Sequence, residues 1–307
     1  MQLSVETRRE MERAFETCRQ MIAGFPAPFA EAGVRYLDRF DPSRSGGPTN
    51  YICCLLPYWL QQAAEASLER CREIAAANVF GMLHFHLQDE RMDRSTGIDR
   101  IHIALSQLLS VEMNVRYSAL FGSSEAFQSA MRLCTSEWAV GLAVEKVNNS
   151  FFERPRDIAA RSAPLLLCPL VLLEENERLC SRALYAVQET LITLQMADDW
   201  TDYAEDLKEG SYNCLVAMYR HKYELAADTA VSPEEIETAV YTQGMLTEYA
   251  KFASLRQLKL EHYREDFPGL VGFHAALAGD LERIASSIEA EKHILALGGL
   301  NYWLLGR

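Results

Sequence analysis

The sequence lacks the features that would mark a membrane-spanning, secreted or zinc-ribbon protein. It has no run of about 18 apolar residues, so we expect no membrane span. No apolar segment follows Met1, so we expect no secretory signal and a cytoplasmic location. Its 8 cysteines lie singly or adjacent within apolar segments, without the spaced pairs that bind zinc or frame a small disulfide-bonded fold.

Basic residues are fewer than acidic ones: the sequence has 30 Lys and Arg and 43 Asp and Glu, which gives a formal net charge of −13. Nucleic-acid binding needs a basic surface that replaces counterions, so we expect no nucleic-acid partner. A glycine-rich phosphate loop, a nucleophile elbow and the Glu-x-x-His pairs of di-iron bundles are all missing. An acidic protein can still bind an anionic substrate, provided that metal ions lie between them.

Strand signals are scarce, whereas apolar residues recur at spacings of three and four over long distances, which is typical of amphipathic helices. The pattern predicts an all-α bundle of roughly ten helices. We expect a single domain over 1–307, with no internal repeat. The predicted helices cover 5–22, 60–94, 99–120, 124–150, 156–162, 165–208, 212–226, 233–256 and 268–297. The sixth is long enough that we expect a break near Pro169 or later, and 41–50 is predicted as a polar loop.

The first informative segment carries aspartates one helical turn apart near the end of the helix predicted at 60–94. Asp89 and Asp93 are four residues apart, and Glu90 lies beside them. Like charges at this spacing oppose helix formation by a few tenths of a kcal/mol, and the helix dipole disfavours anions near a C-terminus. A divalent cation would offset both effects.

The second segment places Asp198, Asp202 and Asp206 in an i, i+4, i+8 row, again at the end of an apolar helix. Such a row is a hard-oxygen ligand set suited to Mg²⁺, which takes the rest of its shell from water and substrate phosphates. Two rows on different helices predict a metal-bridged diphosphate at the mouth of an apolar cavity. Either row alone is equally explained as a solvated acidic helix end.

The apolar residues that precede the two rows are the candidates for the cavity wall, although each taken singly is more simply core. They are Phe80, Phe85, Leu191 and Leu194.

The segment Asp89-Glu90-Arg91-Met92-Asp93 resembles the aspartate-rich first motif of class I terpene synthases and isoprenyl diphosphate synthases. Residues 198–206 have the one, five, nine ligand spacing of the second metal motif of those enzymes. The run 198–213 is also similar to squalene and phytoene synthases and to large-terpene synthases. The resemblance implies the single-domain helical bundle of class I terpenoid synthases around a central apolar cavity, of the bacterial terpene cyclase type.

The resemblance also implies a ligand set for Mg²⁺, two ions at the first motif and a third at the second. The ligands would be Asp89, Glu90 and Asp93 of the first motif and Asp198, Asp202 and Asp206 of the second. The diphosphate would contact Lys208 and one of three arginines, Arg154, Arg156 or Arg161.

The chain departs from chain-elongating synthases, because Gly46-Gly47-Pro48 lacks the basic residues that hold isopentenyl diphosphate in those enzymes. We therefore expect a terpene cyclase, a carbon–oxygen lyase that ionises a linear C15 to C25 prenyl diphosphate. The alternatives are a prenyltransferase, including the head-to-head squalene or phytoene type, and a non-catalytic helical scaffold; a homodimer is left open. Aromatic rings would steer the carbocation by cation–π attraction of about 1 to 2 kcal/mol each. The candidate rings are Phe80, Phe85, Trp59, Tyr58 and Trp138.

Overall fold

The computed structural model describes residues 3–45, 51–93, 100–122, 124–144, 150–226 and 228–296. Within these ranges every regular element is a helix, so the all-α prediction is confirmed. None of the described helices combines the length and the apolar character needed to cross a membrane. The single domain, the central cavity, the cytoplasmic location and the homodimer stay predictions.

Fifteen α-helices are assigned in the described part of the chain, together with short 3-10 helices at Ala163–Leu166 and Glu261–Tyr263. In chain order the α-helices are α1 (Val5–Ala23), α2 (Phe29–Phe40), α3 (Pro42–Ser45), α4 (Tyr51–Leu60), α5 (Leu68–Asp93), α6 (Arg100–Phe121), α7 (Glu125–Val144), α8 (Ser150–Glu153), α9 (Pro155–Ala160), α10 (Leu167–Leu172), α11 (Glu177–Glu209), α12 (Cys214–Lys222), α13 (Pro233–Gln243), α14 (Met245–Leu260) and α15 (Pro268–Ala296).

The chain divides into two compact units. Unit 1 comprises Met1–Ala139, Arg161–Val187 and Asp266–Pro268. Unit 2 comprises Val140–Ala160, Gln188–Glu265 and Gly269–Arg307.

In unit 1, helix α1 buries one face through Met11, Phe15, Cys18 and Ile22, at the spacing of three and four that a helix requires. Helix α2 crosses this face closely because Gly33 has no side chain. A Cβ at Gly33 would lie 2.5 Å from the Ile22 Cγ2 atom, so a larger residue would force the two helices apart.

Helices α5 and α6 form the largest helix pair of unit 1, and two buried polar side chains, Asn78 and Tyr117, are hydrogen-bonded within it. The Asn78 side-chain amide donates to the Cys53 carbonyl at 3.0 Å, which joins α5 to α4. The Tyr117 hydroxyl on α6 donates to Asn78 Oδ1 at 2.5 Å. Because Asn78 is 5% and Tyr117 1% exposed, an unpaired group here would carry its full desolvation penalty.

In unit 2, a buried polar network joins α11, α14 and α15. Arg256 on α14 donates to Glu189 on α11 at 2.6 Å, and both side chains are buried. His274 on α15 contacts Thr193 Oγ1 at 2.8 Å and Gln257 Oε1 at 2.6 Å. These contacts fix the rotation of α11 about its axis, and that rotation determines where the carboxylates further along the helix point.

The helices differ from the prediction at several places, and the segment 41–50, predicted as a polar loop, contains the short helix α3 (Pro42–Ser45). Helices α2 and α4 were not predicted, and the helix predicted at 60–94 begins only at Leu68. The helix predicted at 233–256 is two helices, because Gly244 has a φ of 71°, which a continuous right-handed helix cannot contain. The expected break in 165–208 is confirmed, since α10 ends at Leu172 and α11 begins at Glu177.

Candidate metal and diphosphate site

The first acidic motif forms the last turn of α5 in unit 1. This end of the helix is fixed to α6 by Gln88, whose amide donates to Ser106 Oγ at 2.8 Å. Asp89 and Glu90 follow directly, and Asp93 is the last helical residue. The side chain of Asp93 lies outside the described part of the chain, so the structure places only its backbone.

Asp89 is paired with one of the three arginines considered for the diphosphate. An Arg161 guanidinium nitrogen lies 3.8 Å from Asp89 Oδ2, and the two side chains are 25% and 16% exposed. Arg154, in unit 2, is instead 53% exposed and pairs with its neighbour Asp157 at 3.1 Å. Arg156 is exposed as well. Among these arginines, only Arg161 is placed beside an acidic motif by a described contact.

Glu90 faces a different neighbour from Asp89. Its Oε1 accepts a hydrogen bond from the Tyr36 hydroxyl at 3.2 Å and lies 3.0 Å from a guanidinium nitrogen of Arg39. The Arg39 guanidinium carbon lies 5.1 Å from the centroid of the Tyr36 ring and 5.6 Å from that of Phe40. Burial, and then the charge of Glu90, raise the pKa of Tyr36, so its hydroxyl stays protonated and keeps donating.

The second acidic row lies on the last turns of α11 in unit 2. Asp198 and Asp206 are half-buried, and Asp202 is exposed. Burial, followed by the charges of Asp199 and Asp202, raises the pKa of Asp198 to about 7. Burial and the charge of Glu205 also raise the pKa of Asp202. The row is therefore a crowded set of carboxylates whose ionised form a cation would stabilise.

A buried anchor beneath this row was not predicted from the sequence. Asp199 is 2% exposed; its carboxylate accepts from Gln195 Nε2 at 2.6 Å and from the Cys214 backbone N–H at 2.5 Å. Asn213 donates to the Asp199 carbonyl and to Asp206 Oδ2, each at 2.8 Å. Asn213 Oδ1 also accepts from the first backbone N–H groups of α12, which makes it the N-cap of that helix. The polar asparagine before an apolar run is the local signal that was available for it.

The predicted cavity residues are divided between the units. In unit 1, Phe80 is fully buried under the Arg116 guanidinium, and the half-buried Phe85 ring lies 4.9 Å from that of Trp138. In unit 2, Leu191 is 2% exposed and Leu194 is half-buried. The lining of a cavity by these residues stays a prediction.

The remaining predicted residues take ordinary positions. Lys208 is exposed on the last turn of α11. Tyr58 and Trp59 are half-buried at the end of α4, where the Tyr58 hydroxyl donates to Glu10 at 3.3 Å.

Among the described residues, no group of three or more His, Cys, Asp or Glu side chains is arranged to hold a metal ion. The donors of both rows are carboxylate oxygens, which is the chemistry that fits Mg²⁺.

A scan against protein-family models and a search of curated proteins both found no match. The resemblance to class I terpene synthases is therefore carried by the two acidic motifs and the all-α fold alone.

Proposed function

We propose that this protein is a Mg²⁺-dependent class I terpene cyclase, which ionises a linear C15 to C25 prenyl diphosphate and cyclises the carbocation. The observation that carries the proposal is the position of Asp198, Asp202 and Asp206 on successive turns at the end of α11. Three carboxylates on one helix face oppose the helix dipole and repel one another, so a bound cation would stabilise the arrangement.

The anchor under the second row supports the proposal, because it orients a ligand rather than neutralising it. Asn213 is neutral, and its side-chain amide donates a hydrogen bond to Asp206 Oδ2 at 2.8 Å. A metal-binding carboxylate is usually oriented in this way by a hydrogen-bond donor behind it. Asp199, buried beneath the row, keeps the turn after α11 folded back so that Asn213 reaches Asp206.

The chain's own residues then take distinct roles. Asp89 and Asp93 would hold Mg²⁺ at the end of α5, and Asp198, Asp202 and Asp206 at the end of α11. Bound Mg²⁺ would supply positive charge to the departing diphosphate. The approach of Arg161 to Asp89 supports Arg161 as the diphosphate contact among the three arginines. Lys208, exposed on the last turn of α11, is proposed as a diphosphate contact in unit 2.

The experiment is product analysis of the purified protein with Mg²⁺ and one prenyl diphosphate at a time, from C10 to C25. We expect a cyclic hydrocarbon or alcohol from at least one substrate of C15 to C25 given alone. Products that form only with an added acceptor would instead identify a prenyltransferase. Release of no product, together with no Mg²⁺-dependent binding of an inert diphosphate analogue, would identify a scaffold.

The matched variants are Asp202→Asn within the row and Glu209→Gln at an exposed position on the same helix end. Both remove one negative charge from α11. The first should abolish product formation and the second should leave it unchanged, because only Asp202 belongs to the metal-binding row.

A further inference from the structure

Adjacent carboxylates at the end of α5 are committed to different neighbours. Successive residues of an α-helix point about 100° apart around the axis, so Asp89 and Glu90 leave the helix in different directions. Asp89 turns towards Arg161, whereas Glu90 turns towards Tyr36 and Arg39 on α2. All five residues belong to unit 1.

The contacts of Glu90 are those of a residue held in place. Its side chain is 23% exposed. Tyr36, which donates to it, is 3% exposed and lies on the buried face of α2. Arg39, whose side chain is 56% exposed, brings a positive charge to the same carboxylate oxygen, and its guanidinium lies over two aromatic rings. Hydrogen bonds to an ionised group are roughly twice as strong as neutral ones. The Glu90 oxygen is thus occupied by a hydroxyl and a guanidinium.

A hydrogen bond between Glu90 and a neighbouring helix would stabilise the last turn of α5. Negative charges accumulate on its last turn, where the helix dipole opposes them and where the final carbonyl groups have no partners within the helix. Helix ends with these features fray readily. A bond from the last turn to a well-packed neighbour offsets the fraying, and α2 is packed closely on α1 where Gly33 meets Ile22.

We propose that Glu90 is a positioning residue rather than a Mg²⁺ ligand. Its bonds to Tyr36 and Arg39 clamp the last turn of α5 to α2 and so hold Asp89 in the orientation that binds Mg²⁺. The identity of the ligand rests on the proposed function, whereas the clamp rests on the contacts alone. The two claims therefore have separate tests.

The clamp is tested without any ligand, by amide hydrogen exchange across the last turn of α5. Loss of a hydrogen bond to a charged group corresponds to roughly a 10-fold faster exchange. We expect this in Glu90→Ala and Arg39→Met, and a smaller increase in Tyr36→Phe. Glu69→Gln, at the exposed start of the same helix, is the control and should match the wild type. Exchange in Glu90→Ala and Arg39→Met within two-fold of the wild type would overturn the clamp.

The positioning role is tested by calorimetry with Mg²⁺ and inorganic pyrophosphate as the probe. Loss of a group that orients a ligand typically weakens metal affinity about 10-fold or more, so we expect that loss in Glu90→Ala with the number of bound Mg²⁺ unchanged. Glu90→Gln should restore most of the affinity, because its amide oxygen still accepts from Tyr36. Asp89→Asn should abolish Mg²⁺-dependent binding.

Two results separate failure of this inference from failure of the proposed function. If Glu90→Gln loses binding as Asp89→Asn does while Tyr36→Phe binds like the wild type, Glu90 is a ligand and the inference is wrong. If the wild type binds no pyrophosphate with Mg²⁺, the proposed function and the positioning role both fail, and hydrogen exchange alone decides whether the clamp exists.

Discussion

The side-chain amide of Asn213 donates to Asp206 Oδ2 at 2.8 Å, and this contact ties the last aspartate of the α11 row to the start of α12. The other amide hydrogen reaches the Asp199 carbonyl, and the Asn213 oxygen accepts from Leu215 and Val216. Every hydrogen-bonding group of this buried side chain is therefore used. Asn213 acts both as the cap of a helix and as the support of a proposed metal ligand.

Asn213→Ala should lower the free energy of unfolding by about 2–4 kcal/mol, because it removes a helix cap together with the hydrogen bonds to Asp199 and Asp206. The matched control is Asn176→Ala, at the exposed start of α11, where Asn176 Oδ1 accepts from the Leu179 N–H at 3.0 Å. Removal of the Asn176 cap should lower the free energy of unfolding by only about 1 kcal/mol. Denaturant unfolding measures both, and equal losses would show that Asn213 is no more than a cap.

Gly33→Ala should lower the free energy of unfolding by about 1–3 kcal/mol, because the new methyl group would overlap Ile22 where α2 crosses α1. Gly279 lies within α15, and a Cβ added there would meet open space. Gly279→Ala should therefore raise the free energy of unfolding by about 0.5–1 kcal/mol. Thermal unfolding of the two variants in parallel separates steric overlap from helix propensity. A stabilised Gly33→Ala protein would mean that the two helices have room to separate.

Much of the fold is predictable from local patterns. The buried positions of α1 follow the spacing of three and four in the sequence, and the start of α13 is the capping box that Ser232 and Glu235 predict. Helix α2 is hard to predict because prolines such as Pro26 and Pro28 commonly mark a break between helices. Pro28 lies directly before the first residue of α2, where proline is tolerated because the missing N–H has no helical partner.

The candidate site is predictable only in part, because some of its contacts depend on how distant helices pack. The acidic rows are local features, since residues four apart share a helix face wherever the helix lies. The partners of Glu90 are not local, because Tyr36 lies 54 residues before it and reaches it only through packing of α2. The choice of Arg161 over Arg154 likewise depends on the folded position of each arginine.

His274 should make the stability of the protein depend on pH. Burial, and then the charge of Arg256, lower the pKa of His274 to about 4 from an ordinary value of 6.5. Between these values the unfolded chain binds a proton that the folded protein does not, so stability falls as the pH falls through this window. From pH 7 to pH 5, the wild type should lose about 2 kcal/mol more than His274→Gln.

Denaturant unfolding at both pH values measures this difference, in which the contributions of other groups cancel. His262→Gln, at an exposed position, is the control for removing a histidine and should retain the pH dependence of the wild type. Parallel losses in the wild type and His274→Gln would show that His274 becomes protonated in the folded state without penalty.

The most direct test of the proposed function is the Mg²⁺-dependent release of inorganic pyrophosphate from C15, C20 and C25 prenyl diphosphates. The wild type and Glu209→Gln should release it from at least one of them. Asp89→Asn and Asp198→Asn should each lower kcat/KM by about 100-fold or more. Each removes a carboxylate that would bind Mg²⁺ beside the diphosphate leaving group. Release from none of these substrates by the wild type, or wild-type turnover in either aspartate variant, would contradict the account.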